Sequence, residues 1–147
     1  MPELIPNLLQ KMAEGYDMVI VSRYLGNAKS EDDDVITGFG NWLFTKTVNV
    51  LHGGHYTDVM GIYRAYRTQV IYDLELNKPD AFILPEKLFS AKGVSWEPLL
   101  SVRAAKKKLK VTEIPGDEPA RIGGERKLKV LRWGAVCYFQ FIRECFT

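Results

Sequence analysis

Gly15-Tyr16-Asp17-Met18-Val19-Ile20-Val21-Ser22-Arg23-Tyr24 is the stretch on which the fold turns. Its apolar run, Met18-Val19-Ile20-Val21, is short, rich in β-branched residues and does not alternate with polar ones. That pattern belongs to a strand buried on both faces, as in a parallel-type sheet. Before it, Leu4, Ile5, Leu8, Leu9 and Met12 recur at helical spacing, Pro6 sits in an early turn, and Gly15 follows as a stop. Helix, glycine and buried strand make half of a repeating α/β unit, so the expected class is α/β.

The pattern extends toward the C-terminus. Residues 25–36 are polar and acidic and read as a surface loop; residues 38–51 read as a helix with Leu43, Phe44, Val48 and Leu51 on one face, ended by Gly53-Gly54. Strand character returns around Tyr63 and Ala65, followed by a short helix over residues 68–76 and a turn at Asn77-Lys78-Pro79-Asp80. Residues 94–108 read as a helix with Pro98 in its first turn and Leu99, Leu100, Val102 and Ala105 inward. Residues 110–114 read as a strand stopped by Pro115. Residues 116–127 read as a basic, glycine-containing loop, and residues 127–146 as a final amphipathic helix carrying Leu128, Leu131, Ala135, Tyr138, Ile142 and Phe146 at steps of three and four. No internal repeat or low-complexity linker interrupts this order, and 147 residues fit a single domain.

The chain is 46% apolar and 26% charged, close to the average for a soluble globular domain, so disorder is not indicated. A net charge of +2 names no partner, and no nucleic-acid role is expected. Charge is unevenly placed: residues 101–132 hold ten Lys and Arg against four acids, an excess suited to phosphates or an anionic membrane, or else a solvated lysine face. Cys137 and Cys145 lie eight apart in one apolar segment, a helical separation of about 12 Å that no disulfide spans. Idle thiols in a reducing compartment are the simplest reading. The opening shows no signal peptide, and no run reaches the roughly 18 apolar residues of a membrane span.

Chemistry can sit in several places. Ser22-Arg23-Tyr24 ends a buried strand, where open α/β sheets place ligands; an arginine there either clamps phosphate or closes a salt bridge at the sheet edge. Asp58, in Thr57-Asp58-Val59-Met60-Gly61, can be a turn former, a general base or an anchor for a sugar hydroxyl. Arg121, Arg126 and Lys127 flank Gly123-Gly124 in a loop that could fold over a phosphate or simply be a basic turn. The final helix suits either a membrane interface or a core-docked position. Asp32-Asp33-Asp34 is a poor metal site, because consecutive carboxylates point apart, and His52 with His55 would need a third ligand. No metal-ligating residue is assigned.

In this order the pieces resemble the second half of family 2 glycosyltransferases of GT-A fold, nearest to the dolichol- and polyprenyl-phosphate mannose and glucose synthases. Pro2-Glu3-Leu4-Ile5-Pro6 resembles the segment after the family's Asp-x-Asp, and Asp17-x-Val19-x-Val21-Ser22-Arg23-Tyr24 its Asp-x-Val-x-Gly-Ser-Arg-Tyr strand, with Val21 for Gly. Asn41, Thr57-Asp58, Gly61-Ile62-Tyr63-Arg64, Glu97-Pro98-Leu99-Leu100, Glu113-Ile114-Pro115 and Arg121-x-Gly-Gly-Glu125-Arg126-Lys127-Leu128 fall in the family's sequence of motifs, with Arg126 for Ser.

The resemblance implies the C-terminal half of a GT-A fold: a mixed sheet flanked by helices, with a C-terminal amphipathic helix. It implies transfer of a sugar, with inversion, from a nucleotide-sugar donor to a polyprenyl phosphate. Asp58 would line the acceptor side as the catalytic residue, while Ser22, Arg23, Arg121, Arg126 and Lys127 would engage phosphate. A divalent Mg or Mn ion would serve the complete enzyme. The expected location is cytoplasmic, with peripheral contact at the membrane face, and assembly as a homo-oligomer or with a partner half. Thr37-Gly38-Phe39-Gly40 stands where the family has a second Arg, and no Asp-x-Asp precedes Pro2. The chain alone is therefore expected to be inactive or weak. The alternative is a non-catalytic phosphate- or lipid-binding or scaffold module.

Overall fold

A computed structural model describes residues 2–78, 80–89, 96–120, 123 and 130–147. A 3-10 turn, Pro2–Leu4, leads into α1, Ile5–Ala13. Gly15, at φ 95°, takes the left-handed turn that lets the chain reverse into β1, Met18–Ser22. All five β1 residues are buried. The strand is the middle of a three-stranded sheet of order β2-β1-β3. β2, Arg64–Tyr66, runs antiparallel to it, with Val19 opposite Ala65; β3, Val111–Pro115, runs parallel, from Met18 opposite Val111 to Ser22 opposite Pro115. The sheet is thus mixed, and the strand read as parallel-type is parallel on one side. β3 includes Pro115 rather than stopping before it, as an edge strand can, since the missing N–H removes no bond to a further strand.

The pleat of β1 divides the core. Met18 and Ile20 point to one face, against Val48, Tyr56, Val70, Leu74, Leu99, Leu100, Cys137 and Phe141. Val19 and Val21 point to the other, where Leu8 of α1 and Ile114 of β3 close a smaller cluster with Leu4 and Met12. Helices therefore cover both faces, which is why β1 carries no polar alternation.

α2, Val35–His52, starts earlier than its apolar stripe suggests. Asp34 accepts from Thr37 N at 2.8 Å while Asp34 N donates to Thr37 Oγ1 at 3.0 Å, a reciprocal cap that fixes the first turn. Gly53, at φ 70°, ends it. α3, Thr68–Asp73, is followed by α4, Asp80–Phe89, for which the sequence reading made no provision: Pro85 lies inside it and argues locally against a helix. α5, Trp96–Lys106, buries Leu99, Leu100, Val102, Ala104 and Ala105. α6, Val130–Arg143, packs against α2, α4 and α5.

The face that α6 buries differs from the stripe read in the sequence. Val136, Cys137, Gln140, Phe141 and Glu144 are inside, whereas Leu131 is 83% exposed and Ile142 and Phe146 also face outward. Glu144 explains the rotation: its carboxylate accepts from Arg103 Nη2 at 3.1 Å and Nε at 3.2 Å, and its backbone oxygen from Lys106 Nζ at 2.6 Å. Two of the clustered basic residues are thus committed to an internal anion. His52 Nε2 lies 2.9 Å from Phe141 O, docking the end of α2 on α6. Both cysteines are free thiols.

Candidate functional site

The carboxyl ends of the parallel strands β1 and β3 point the same way, so the loops after Ser22 and Pro115 meet at one sheet edge. A parallel bridge joins Ser30 to Glu118, and Glu118 N donates to Lys29 O and Glu31 N to Glu118 O, each at 2.9 Å. The segment between α2 and β2 arrives at the same edge. Gly61 lies against β1 so closely that a Cβ there would sit 2.9 Å from Ile20 Cγ2 and 3.1 Å from Val21 O. Gly116 is tighter still: its Cβ would overlap Val21 Cγ1 and lie 2.7 Å from Leu4 Cδ1.

Arg23 is the centre of this edge. Its Nε donates to Asp58 Oδ2 at 2.7 Å, its Nη2 to Asp58 Oδ1 at 3.0 Å and its backbone N to Asp58 Oδ2 at 3.2 Å. Nη1 donates to Glu118 Oε2 at 2.9 Å and lies 4.0 Å from Asp33. The guanidinium also lies over the Tyr24 ring, 5.4 Å from its centroid. Burial works against the charge, but the Asp58 and Glu118 carboxylates outweigh it and lift Arg23 above the ordinary arginine pKa. Asp33, which accepts from the Tyr24 hydroxyl, is raised by burial, an effect that the Arg23 charge opposes.

Asp58 has no exposed side-chain surface. Its backbone N, with Thr57 N, donates to the Glu113 carboxylate at 3.1 and 2.8 Å, and Thr57 Oγ1 donates to the same carboxylate at 2.7 Å. Ser22 Oγ is 2.5 Å from Thr57 Oγ1 and accepts from Tyr24 N at 3.2 Å. The structure thus brings Ser22, Arg23 and Asp58 together as one hydrogen-bonded unit, with Ser22 facing inward. Arg64, also named by motif, folds its guanidinium back onto Gly61 O and reaches Ser101 Oγ at 3.0 Å; burial lowers its pKa. Arg121, Arg126 and Lys127 lie outside the described residues.

A cleft of about 230 Å³ opens beside the unit, lined by Val21, Arg23, Gly61, Ile62, Tyr63 and Glu118. Sequence reasoning gave Glu118 no part in the cleft, and Asp33 no part beside Arg23. The available signal was positional: Glu118 comes three residues after the end of β3, the parallel neighbour of β1, so it had to emerge at the same edge as Arg23. Among the described residues no group of three or more His, Cys, Asp or Glu side chains is placed to hold a metal ion, and no helix is long and apolar enough to cross a membrane.

No family model matches the chain. Over 141 residues, 95% of its length, it is 23% identical to the glycosyltransferase AglJ of Haloferax volcanii, of which it covers 42%. Over 97% of its length it is 24% identical to an undecaprenyl-phosphate mannosyltransferase of Micrococcus luteus, of which it covers 58%. The chain spans about half the length of these relatives. The mixed α/β architecture is consistent with a glycosyltransferase fragment, and along nearly all of its length this chain is similar to glycosyltransferases.

Proposed function

We propose that these 147 residues form the acceptor-side portion of a GT-A glycosyltransferase that moves a sugar from a nucleotide-sugar donor to a polyprenyl phosphate. The observation that carries the reading is the Arg23–Asp58 unit on a cleft at the carboxyl ends of parallel strands, in a chain similar to a polyprenyl-phosphate mannosyltransferase. A cleft of about 230 Å³ is below the roughly 300–1,000 Å³ of typical ligand pockets. It suits a phosphate head group better than a nucleotide diphospho-sugar.

In the transfer, a phosphate oxygen of the acceptor forms the new bond to the anomeric carbon while the bond from that carbon to the donor diphosphate breaks. A phosphate acceptor is already ionised at neutral pH, so it brings its own nucleophile and requires no proton removal. Asp58 therefore acts by holding Arg23 aimed at the cleft; Ser22 and Thr57 keep the strand end and Asp58 in register. Arg121, Arg126 and Lys127 are proposed to complete the phosphate contacts. The Mg or Mn ion of such a reaction would neutralise the leaving diphosphate. The described residues offer no group of three or more His, Cys, Asp or Glu side chains to hold it.

Peripheral membrane contact at the cytoplasmic face is part of the proposal. It is supported by the outward face of α2, where Val35 is 89% exposed and Phe39, Trp42 and Val50 are exposed beside Lys46, and by Leu131, Ile142 and Phe146 at α6. Assembly with a second copy or a partner half would cover part of the same apolar surface.

Calorimetric titration tests the reading. Farnesyl phosphate is expected to bind saturably and farnesol weakly. Equal binding of the two would remove the phosphate acceptor, and micromolar, Mn2+-dependent binding of GDP-mannose would place the donor site within these residues instead.

A further inference from the structure

Each of the three nitrogens of the Arg23 guanidinium already donates to a carboxylate. Nε and Nη2 face Asp58, while Nη1 faces Glu118 at 2.9 Å with Asp33 at 4.0 Å. An incoming phosphate meets three carboxylates around one guanidinium, so repulsion opposes it unless one of them leaves. The three are not equally free to do so. Asp58 is wholly buried and also receives Arg23 N. Asp33 has 16% side-chain exposure, lies farther away and accepts from Tyr24. Glu118 lines the cleft, and its side chain is 30% exposed. Its backbone is fixed through Lys29 O and Glu31 N, so its carboxylate can swing out by side-chain rotation alone. The tethers to be released are Arg23 Nη1 and Ser30 Oγ, which donates to Glu118 Oε2 at 2.6 Å.

Resting on the acceptor reading above, we propose that Glu118 is a specificity-determining stand-in for the ligand phosphate: it occupies Arg23 Nη1 until a phosphate ester displaces it. A dianionic phosphate replaces a single carboxylate charge on the guanidinium and gains by the exchange. A neutral alcohol does not, so the site rejects an unphosphorylated lipid that fits the same space. Self-occupancy lowers apparent affinity by the fraction of molecules in which Arg23 is masked.

The test is calorimetry on the full chain with farnesyl phosphate, farnesol and inorganic pyrophosphate as probes, comparing the parent with Glu118→Gln, Ser30→Ala and Glu14→Gln. Glu14 pairs with Lys11 on α1 and controls for the loss of one negative charge. Glu118→Gln is expected to bind farnesyl phosphate about tenfold more tightly, Ser30→Ala to gain less in the same direction, and Glu14→Gln to match the parent; farnesol affinity stays unchanged. Thermal unfolding confirms that each variant is folded, and Ser30→Ala carries the test if Glu118→Gln is not. A gain for pyrophosphate instead upholds displacement but assigns the anion to the donor. Equal or weaker phosphate binding by the folded variants overturns the stand-in while leaving the acceptor reading intact. No phosphate binding by parent or variants overturns both.

Discussion

Replacing Asp58 by Asn tests the load on the Arg23 unit. The substitution keeps the shape but removes the charge and turns an amide donor toward the guanidinium, against bonds of 2.7, 3.0 and 3.2 Å. Breaking a buried ion pair by changing one partner costs roughly 3–5 kcal/mol. Here Arg23 keeps Glu118 and has 16% side-chain exposure, so about 2–3 kcal/mol is expected. At about 3 °C per kcal/mol for a chain of this size, the melting temperature should fall by roughly 6–9 °C. Arg23→Met combined with Asp58→Leu removes both charges of the pair and should recover part of that loss, the remainder falling on Glu118 and Asp33, which lose their cation. The assay is urea unfolding followed by circular dichroism, at low salt and again in 1 M NaCl. A buried pair is screened little, so the two series should agree. A loss under about 0.5 kcal/mol for Asp58→Asn, or a double variant worse than the sum of the singles, would refute the account.

Glu144→Ala, which removes the carboxylate facing Arg103 of α5 while Lys106 keeps the backbone oxygen of residue 144, should cost about 2–3 kcal/mol in the same assay, whereas Glu14→Ala, removing an exposed pair, should leave the midpoint unchanged. Gly116→Ala should lower stability by roughly 1–3 kcal/mol, since Val21 and Leu4 must give way beside a fully buried strand; an unchanged midpoint would show that the loop moves freely. At pH 8 a thiol reagent should titrate one cysteine per folded chain, exposed Cys145, and two in urea. Burial, with a smaller contribution from Glu97, pushes the Cys137 thiol up to about 11 from 9.0. The unfolded thiol therefore ionises first, and stability should fall more steeply as pH rises from about 9 toward 11 in the parent than in Cys137→Ala, where buried Tyr56, also raised by desolvation, still contributes.

The sheet and most helices were legible because their signals are local: the unalternating run in β1, the glycines at positions 15 and 53, and the inward residues of α5. The face of α6 was not, because apolar spacing alone suggested Leu131 and Ile142, whereas pairing of Glu144 with Arg103 across 41 residues turns the helix the other way. α4 was missed because Pro85 argues locally against a helix. At the site, Ser22, Arg23 and Asp58 could be named from the strand-end rule and motif order. That Arg23 and Asp58 bind each other, and that Glu118 closes the third side, follows from contacts spanning 35 and 95 residues, which no local pattern records.

The pairing of β1 with β3 also governs how the chain comes into being. The Asp17 carboxylate accepts from Lys110 N, 93 residues later, so β1 waits for its parallel neighbour while those residues are made. At roughly 5–20 residues per second this leaves Met18-Val19-Ile20-Val21 without that neighbour for about 5–20 s on the ribosome. Such a non-local closure predicts slow folding and, in the interval, an apolar strand open to mispairing with other nascent chains. Nascent chains released before Val111 should accordingly aggregate, and chaperone occupancy should drop once β3 has emerged from the exit tunnel.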